Sequence, residues 1–510
     1  MTTRFPKENT MTLDTAITTD WIDLAAAAAP EGGAFIDGAY VPALSGETVE
    51  NRSPVDGRVL NRIAAGVEAD VDRAVAAARA AFDDGRWSAA APRHRKRVLT
   101  AFVAGIRRDR VRLATILTAD SGKPISASLG EVDGAAAVLE FYTEAIDKWA
   151  GEVMPTPGSA LALVTREALG VVGAVVPWNF PIGMPMWKIA PALATGNSVV
   201  VKPAEQAPLP VIALAELAAE AGLPDGVFNV VPGRGDRAGK ALGLHMDVDK
   251  IAFTGSTQVG KYFLQYAGQS NLKSVSLECG GKSANIVLAD APDLRAAAKA
   301  AALGGFVNGG QICSAGSRLV VEESIRDEFL ELVVEASRIW APGDPFAEDT
   351  LMGAIIDTEQ LDRVSSYVEI GQQEGARLVT GGSRTRLETG GTYHEPTIFA
   401  EVDNRMRIAQ EEIFGPVLSV ITAKDADDAV RIANDSDYGL AAAVWTSNVS
   451  TAHQVSRALR AGTVWVNCYN QADINVPFGG YKQSGNGRDK SLHALDQYTQ
   501  LKTNWFNLDV

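Results

Sequence analysis

The sequence predicts an α/β protein built from two successive doubly wound units. From about residue 168 onward, short β-branched runs alternate with helical stretches, the pattern of a parallel sheet covered by helices. A second series of the same kind follows residue 316. The chain has 510 residues, 46% of them hydrophobic and 21% charged, enough for two large domains with sizeable cores.

Composition narrows the function. The net charge of −15 leaves no basic footprint for nucleic acid. Cys279, Cys313 and Cys468 form no CxxC pair and no disulfide framework, as in a reducing compartment. His94, His245, His394, His453 and His493 are scattered, without metal-ligand spacing, so no metal site is expected. No window offers about 18 uninterrupted apolar residues, so no membrane partner is expected, and the cytoplasm is the expected location.

Residues 1–33 read as a mobile N-terminal arm with a short helix. Its run Ala25–Ala29 is too short for a signal sequence. Residues 34–66 alternate β-like runs with Asp-Gly and Ser-Gly turns and predict hairpins. Val67–Ala81, Pro92–Arg110, Val111–Ala119 and Ile125–Trp149 follow as helices.

In the first unit the strands are the runs 170–176, 197–202, 226–231, 250–254 and 273–278, with Pro208–Ala221 a helix between them. In the second, Arg318–Val321, Val417–Thr422, Ala441–Thr446 and Thr463–Asn467 read as strands. Ile325–Ile339, Asp362–Glu374, Asp425–Asn434 and Val449–Ala461 read as helices. The tail Asp496–Leu508 alternates like a late strand that pairs elsewhere.

Within this frame one thiol stands out. Cys313 follows Gly309-Gly310 and precedes Ser314, Ala315 and Gly316. Small neighbours leave a thiol open to a substrate, although an isolated free cysteine is more often a small buried hydrophobe. Glu278 ends a buried strand before Gly280-Gly281, a position suited to a general base working through water. Asn179, in Pro177-Trp-Asn-Phe-Pro181, follows another strand and can donate to an oxyanion beside the Cys313 N–H.

The loop Phe253-Thr254-Gly255-Ser256-Thr257 ends a strand and opens a helix, leaving N–H groups for an anion. Gly233-Arg-Gly235-Asp-Arg-Ala-Gly239 is one residue too long for the usual dinucleotide fingerprint. Lys202 and Glu205 flank Pro203-Ala204, where a carboxylate can take ribose hydroxyls. Each of these reads equally as an ordinary loop or a surface charge.

Taken together, PWNFP (177–181), KPAE (202–205), FTGST (253–257), LECGGK (277–282), GQICSAGSR (310–318), EEIFGPV (411–417) and PFGGYKQSGNGRD (477–489) resemble the aldehyde dehydrogenase superfamily. The resemblance runs from about residue 34 to the end. It implies a Rossmann-type NAD-binding domain over 34–279, with oligomerisation strands near 150–168. A second, α/β catalytic domain over 280–482 and a C-terminal oligomerisation segment over 483–510 complete the fold. A homodimer or homotetramer is implied, as are NAD as cofactor, NADP as a lesser alternative, and a small-molecule aldehyde as substrate.

The resemblance makes Cys313 the nucleophile, Glu278 the base, Asn179 part of the oxyanion hole and Lys202 a further member of the catalytic set. It puts Val176, Pro177, Trp178, Asn179, Lys202, Glu205, Gly235, Gly239, Phe253, Thr254, Gly255, Ser256, Val259, Glu278 and Gly280 around the cofactor. Glu412 and Phe414 join them, with Gln360 and Arg363 as looser matches. A carboxylate at Glu205 favours NAD by repelling a 2′-phosphate.

For the substrate, VPFGGYKQSGNGRDKSLHAL (476–495), GGKSANIVLAD (280–290), EAIDK (144–148) and EAGLPDGVFNVV (220–231) are similar to bacterial γ-glutamyl-γ-aminobutyraldehyde dehydrogenases of putrescine catabolism. Glu131, Asp133 and Asp473 then read as acids at a tunnel mouth, and equally as solvent-facing charges. Phe180, Trp187 and Phe478 read as aromatic walls, with Met184, Val307, Ile312 and Ser314 completing the lining. A broad aliphatic or aromatic aldehyde specificity is the alternative.

Overall fold

The computed structural model describes residues 21–509. The parallel core of its first sheet runs, in spatial order, Phe228–Val230, Ser198–Lys202, Val171–Val175, Lys250–Thr254 and Ser274–Glu278. Counted along the chain this is the order 3-2-1-4-5, the winding of a nucleotide-binding sheet. Short antiparallel partners close it: Ala34–Ile36 on one side, Gly485–Asn486 on the other.

The central strands are buried along their whole length, because helices cover both faces and strand alternation disappears. Val172, Ala174, Val199 and Val201 pack against the helices carrying Leu99, Phe102, Leu139, Ile189 and Val211. Val171, Val175 and Val200 pack on the opposite face against Val71, Val75, Leu242 and Phe263. Alternate residues of one strand thus serve two cores.

The second sheet repeats the winding. Val417–Ala423, Arg318–Glu322, Ala284–Val287, Ala441–Trp445 and Thr463–Val466 lie parallel in that order. Thr397–Ala400 extends it in parallel beside Val417–Ala423, and Arg377–Thr380 closes it antiparallel. A separate three-stranded sheet joins Thr499–Asn507 to Ala160–Ala168 over nine paired residues, with Glu152–Met154 beyond.

Several expectations change. The helix expected over Ile125–Trp149 ends at Ala145, and Trp149 instead lies under the Arg166 guanidinium, 4.4 Å from its ring centre. The helix expected from Asp362 begins at Thr358, where Asp357 caps it by accepting from the Gln360 N–H. Residues 483–510 are shared among several parts of the fold. Gly485–Asn486 belongs to the first sheet, and Ala494, Leu495 and Tyr498 pack into the core around Ile189 and Leu193.

Several elements went unread in the sequence, among them the helix Leu294–Phe306 and the strands Arg377–Thr380 and Thr397–Ala400. The helix Gly183–Thr195 carries Pro185 in its first turn and Pro191 inside, both breaker signals. The strand Ala284–Val287 is only four residues long. Of the N-terminal arm, Trp21–Ala28 is a helix; the mobility expected for residues 1–20 falls outside the described residues.

Candidate active site

The strand order of the first sheet reverses between Val171–Val175 and Lys250–Thr254, and ligands of such sheets bind outside the carboxyl ends at that reversal. A cavity of about 720 Å³ opens there. Pro177, Trp178 and Asn179 line it from the first of these strands, and Thr254, Gly255, Ser256, Thr257 and Gln258 from the second. Glu278 enters from the neighbouring strand, level with Thr254. The far wall comes from the second unit, with Cys313, Gln360, Arg363, Glu412 and Phe414.

Cys313 owes its position to an unusual turn. After the helix Leu294–Phe306, Asn308, Gly309 and Gly310 are left-handed in succession, with φ of 55°, 64° and 69°. A Cβ on Gly310 would meet the Gly415 carbonyl at 2.2 Å, so glycine is required there. The Asn179 amide donates to the Gln311 carbonyl at 2.8 Å, and the Asn308 amide donates to the Asn179 carbonyl at 3.1 Å. The Gln311 side chain accepts from the Ile356 N–H and donates to the Asn308 carbonyl. Tyr469 donates to the Ser314 carbonyl at 2.8 Å. Asn308, Gln311 and Tyr469 were not singled out in the sequence. Their roles depend on partners more than 40 positions away, save for the local Asn308–Gln311 bond.

Burial disfavours the charged form of each of these groups. Burial first, then the carboxylates of Glu412 and Glu278, push the Cys313 thiol up to about 12, against backbone N–H groups of Ser314 and Cys313 that favour the thiolate. Burial also raises Glu278 well above the usual carboxylate range; Asp489 adds to this, while Lys188 and Arg488 oppose it. Its Oε2 has no hydrogen-bond partner. Behind it, Lys188 and Asp489 form a buried ion pair, which the sequence did not reveal, although a lysine inside the apolar run Met186–Leu193 was a signal.

Glu412 is folded inward. Its carboxylate accepts from the Gly281 N–H at 3.1 Å, and burial pushes it up to about 7. Gln360 donates to the Ile413 and Phe414 carbonyls and Arg363 to the Glu412 carbonyl. These two side chains therefore brace the 412–414 segment as well as lining the cavity. The Phe414 ring meets Trp178 edge-on at 5.1 Å.

The cavity fits a dinucleotide. Thr254 Oγ1 is buried without a partner in its wall, and the helix Thr257–Gln269 starts in it, with Ser256 as its cap. Further out, Glu205 bonds both the Lys202 ammonium at 3.1 Å and the Gly235 N–H at 2.6 Å, and edges a neighbouring recess with Gly233 and Arg234. Lys202 is nearly fully buried and does not line the cavity that holds Cys313. Val176 and Phe253 are buried core side chains, Val259 is exposed, and Gly239 lies within the turn after Gly235. None of these four lines the cavity, whereas Gly280 does.

On the substrate side, Met184 lines the cavity. Trp187 follows one helical turn later and meets Phe478 at 5.4 Å between ring centres. Ile312 and Ser314 are buried beside Cys313, and Val307 is half-buried against the second unit's core. Two of the expected mouth acids are committed elsewhere. Glu131 is ion-paired with Lys123, whose ammonium lies 3.9 Å from the Phe180 ring centre, and also caps the Ile182 and Gly183 N–H groups. Asp133 makes a two-point bond to Arg110 on the outer surface. Asp473 is exposed in the loop from Asn470 to Val476, which leads into Phe478.

A doubly wound nucleotide-binding sheet meets, at its switch point, a half-buried cysteine and a buried amide and carboxylate, an arrangement that suits an oxidoreductase. The sequence pattern of the Aldehyde dehydrogenase family matches residues 40–504, and the chain belongs to that family, as an NAD(P)-dependent enzyme that oxidises aldehydes. It is 51% identical over 491 residues to the NADP/NAD-dependent aldehyde dehydrogenase PuuC of Escherichia coli, covering 96% of this chain and 98% of that one. Among solved structures it resembles the γ-glutamyl-γ-aminobutyraldehyde dehydrogenase of Burkholderia cenocepacia at TM-score 0.94 and 58% identity, over 96% and 99% of the two chains. The indole-3-acetaldehyde dehydrogenase AldA of P. syringae, solved with NAD+ and IAA, matches at TM-score 0.94 and 57% identity over the same shares. Among the described residues no helix is long and apolar enough to cross a membrane.

Proposed function

We propose that Cys313, Asn179 and Glu278 carry the oxidation, and that the substrate is an aminoaldehyde of the γ-glutamyl-γ-aminobutyraldehyde type. The observation behind the chemistry is the shared cavity in which these three side chains meet. Glu278 accepts the Cys313 thiol proton and passes it out of the site as Sγ attacks the aldehyde carbon, and the carbonyl oxygen becomes an oxyanion. Asn179 spends one amide hydrogen on the Gln311 carbonyl and keeps the other for that oxyanion, beside the Cys313 N–H.

Glu412 and Phe414 would hold the nicotinamide ribose of the cofactor, Trp178 and Ser256 its pyrophosphate, and Lys202 and Glu205 its adenosine ribose. When bound, the cofactor accepts the hydride that leaves the substrate carbon. The thioester left on Cys313 is then cleaved by water. Glu278 takes the water's proton as the new C–O bond forms and the C–S bond breaks. The proton leaves toward the Lys188–Asp489 pair behind it. The sum is aldehyde, water and oxidised cofactor giving acid, reduced cofactor and a proton.

The aminoaldehyde reading rests on similarity to the B. cenocepacia enzyme, and on the exposed Asp473. Aromatic or aliphatic aldehydes are the second reading, favoured by the Trp187–Phe478 pair and by similarity to AldA. One panel tests both. Wild type should reduce NAD with γ-glutamyl-γ-aminobutyraldehyde at higher kcat/KM than with hexanal or benzaldehyde, and Cys313→Ala should lose turnover with every aldehyde. A preference for hexanal or benzaldehyde rejects the aminoaldehyde substrate; retained turnover in Cys313→Ala rejects the mechanism.

A further inference from the structure

Lys490 is a charge that the mechanism does not use. Only 5% of the residue is exposed, yet its ammonium has no carboxylate and no hydrogen-bond acceptor among the described residues. Its single contact of note is the Trp187 ring, 5.4 Å from the ring centre. Burial lowers the Lys490 pKa, and Asp473 is the one carboxylate acting the other way.

The backbone fixes this arrangement. Lys490 and Ser491 are both left-handed, with φ of 65° and 51°, a conformation that ordinary side chains rarely adopt and that gathers at ligand sites. The Ser491 N–H donates to the Ile474 carbonyl at 2.7 Å, tying this turn to the loop that carries Asp473. The Asp473 carboxylate is itself oriented by the Asn475 N–H and side-chain amide, both at 2.8 Å.

Trp187 leads back to the reaction. It shares a face of the helix Gly183–Thr195 with Met184, and Met184 lines the cavity that holds Cys313. An aldehyde carbon at Cys313 with its chain running past Met184 and Trp187 therefore brings its far end to Lys490 and Asp473.

We propose that Lys490 is a specificity-determining residue that binds a carboxylate at the far end of the aldehyde, with Asp473 taking an ammonium beside it. The pair matches a substrate ending in an α-amino acid. The proposal rests on the aldehyde chemistry given above and deepens its substrate assignment, since a γ-glutamyl chain ends in that group and a simple aminoaldehyde does not.

The test uses the full-length enzyme and Lys490→Met, which keeps the side chain's apolar bulk and removes its charge. The substrates are γ-glutamyl-γ-aminobutyraldehyde, succinic semialdehyde, 3-aminopropanal and hexanal. Lys490→Met should lose about tenfold or more in kcat/KM, through KM, for γ-glutamyl-γ-aminobutyraldehyde, whose carboxylate lies far enough from the aldehyde to reach Lys490, while succinic semialdehyde, too short to reach it, should change little. Hexanal should stay within about twofold, which also shows that the variant folds. Lys490→Arg should recover part of the loss.

An equal loss for all four aldehydes makes Lys490 a packing residue and overturns the proposal, as does no loss at all. The two readings fail separately. If wild type prefers hexanal to the γ-glutamyl substrate and Lys490→Met still lowers only the latter's kcat/KM, Lys490 stands and the γ-glutamyl substrate falls. If wild type prefers the γ-glutamyl substrate and Lys490→Met does not change it, Lys490 falls alone.

Discussion

At the scale of single residues, the resting enzyme keeps its nucleophile protonated. A Cys313 thiol pushed up to about 12 has a thiolate fraction of about 10⁻⁵ at pH 7. Because reactivity follows the thiolate, alkylation of Cys313 by iodoacetamide in cofactor-free enzyme should rise about tenfold per pH unit between pH 7 and 9. Glu412 is the largest charged contributor to that rise, so Glu412→Gln should alkylate several-fold faster at pH 8. A rate already flat at pH 7 would mean that the thiol ionises low and that Glu412 does not restrain it. Of this, the sequence revealed the thiol and its small neighbours. It could not reveal the restraint, because the inward turn of Glu412 onto the Gly281 N–H joins residues 131 positions apart.

At the scale of elements, legibility followed local pattern. The strand at Lys250–Thr254 lies where its β-branched run predicts it, and most helix ends fall within a few residues of the periodic pattern. The helix Gly183–Thr195 was hidden because its prolines read as breaks, although Pro185 sits in the first turn where no N–H partner is lost. The turn before Cys313 was half legible. Its glycines were seen as small, but their need is conformational: three left-handed residues aim the chain, and Gly310 lies against the Gly415 carbonyl. Gly310→Ala should therefore act through position. It should cost about 1–3 kcal/mol of stability and lower kcat by about 10²-fold through displacement of Cys313, measured by thermal unfolding and steady-state NADH formation. Normal kcat with lowered stability would show that the turn does not position the thiol.

At the scale of the whole molecule, the chain leaves one surface unfinished. Thr499–Asn507 pairs on one side with Ala160–Ala168 and forms the edge of its sheet. Leu501, Trp505, Phe506 and Leu508 are exposed on this tail, and Val153 and Met154 on the opposite edge strand. An apolar edge strand left to solvent invites pairing with another chain, and family resemblance implies a dimer or tetramer. The catalytic groups all come from one chain, so assembly should support the fold rather than complete the site. The strand also begins directly after Tyr498, whose carbonyl accepts from the buried Asn197 amide at 2.9 Å, linking the tail to the cofactor sheet. Trp505→Glu should then shift the enzyme from two or four chains toward one, read by light scattering, and lower its unfolding temperature at dilute concentration. Cys313-dependent turnover should persist in whatever stays folded. A monomeric wild type at micromolar concentration would remove the argument for assembly, and loss of turnover in a folded Trp505→Glu monomer would mean that a second chain shapes the site.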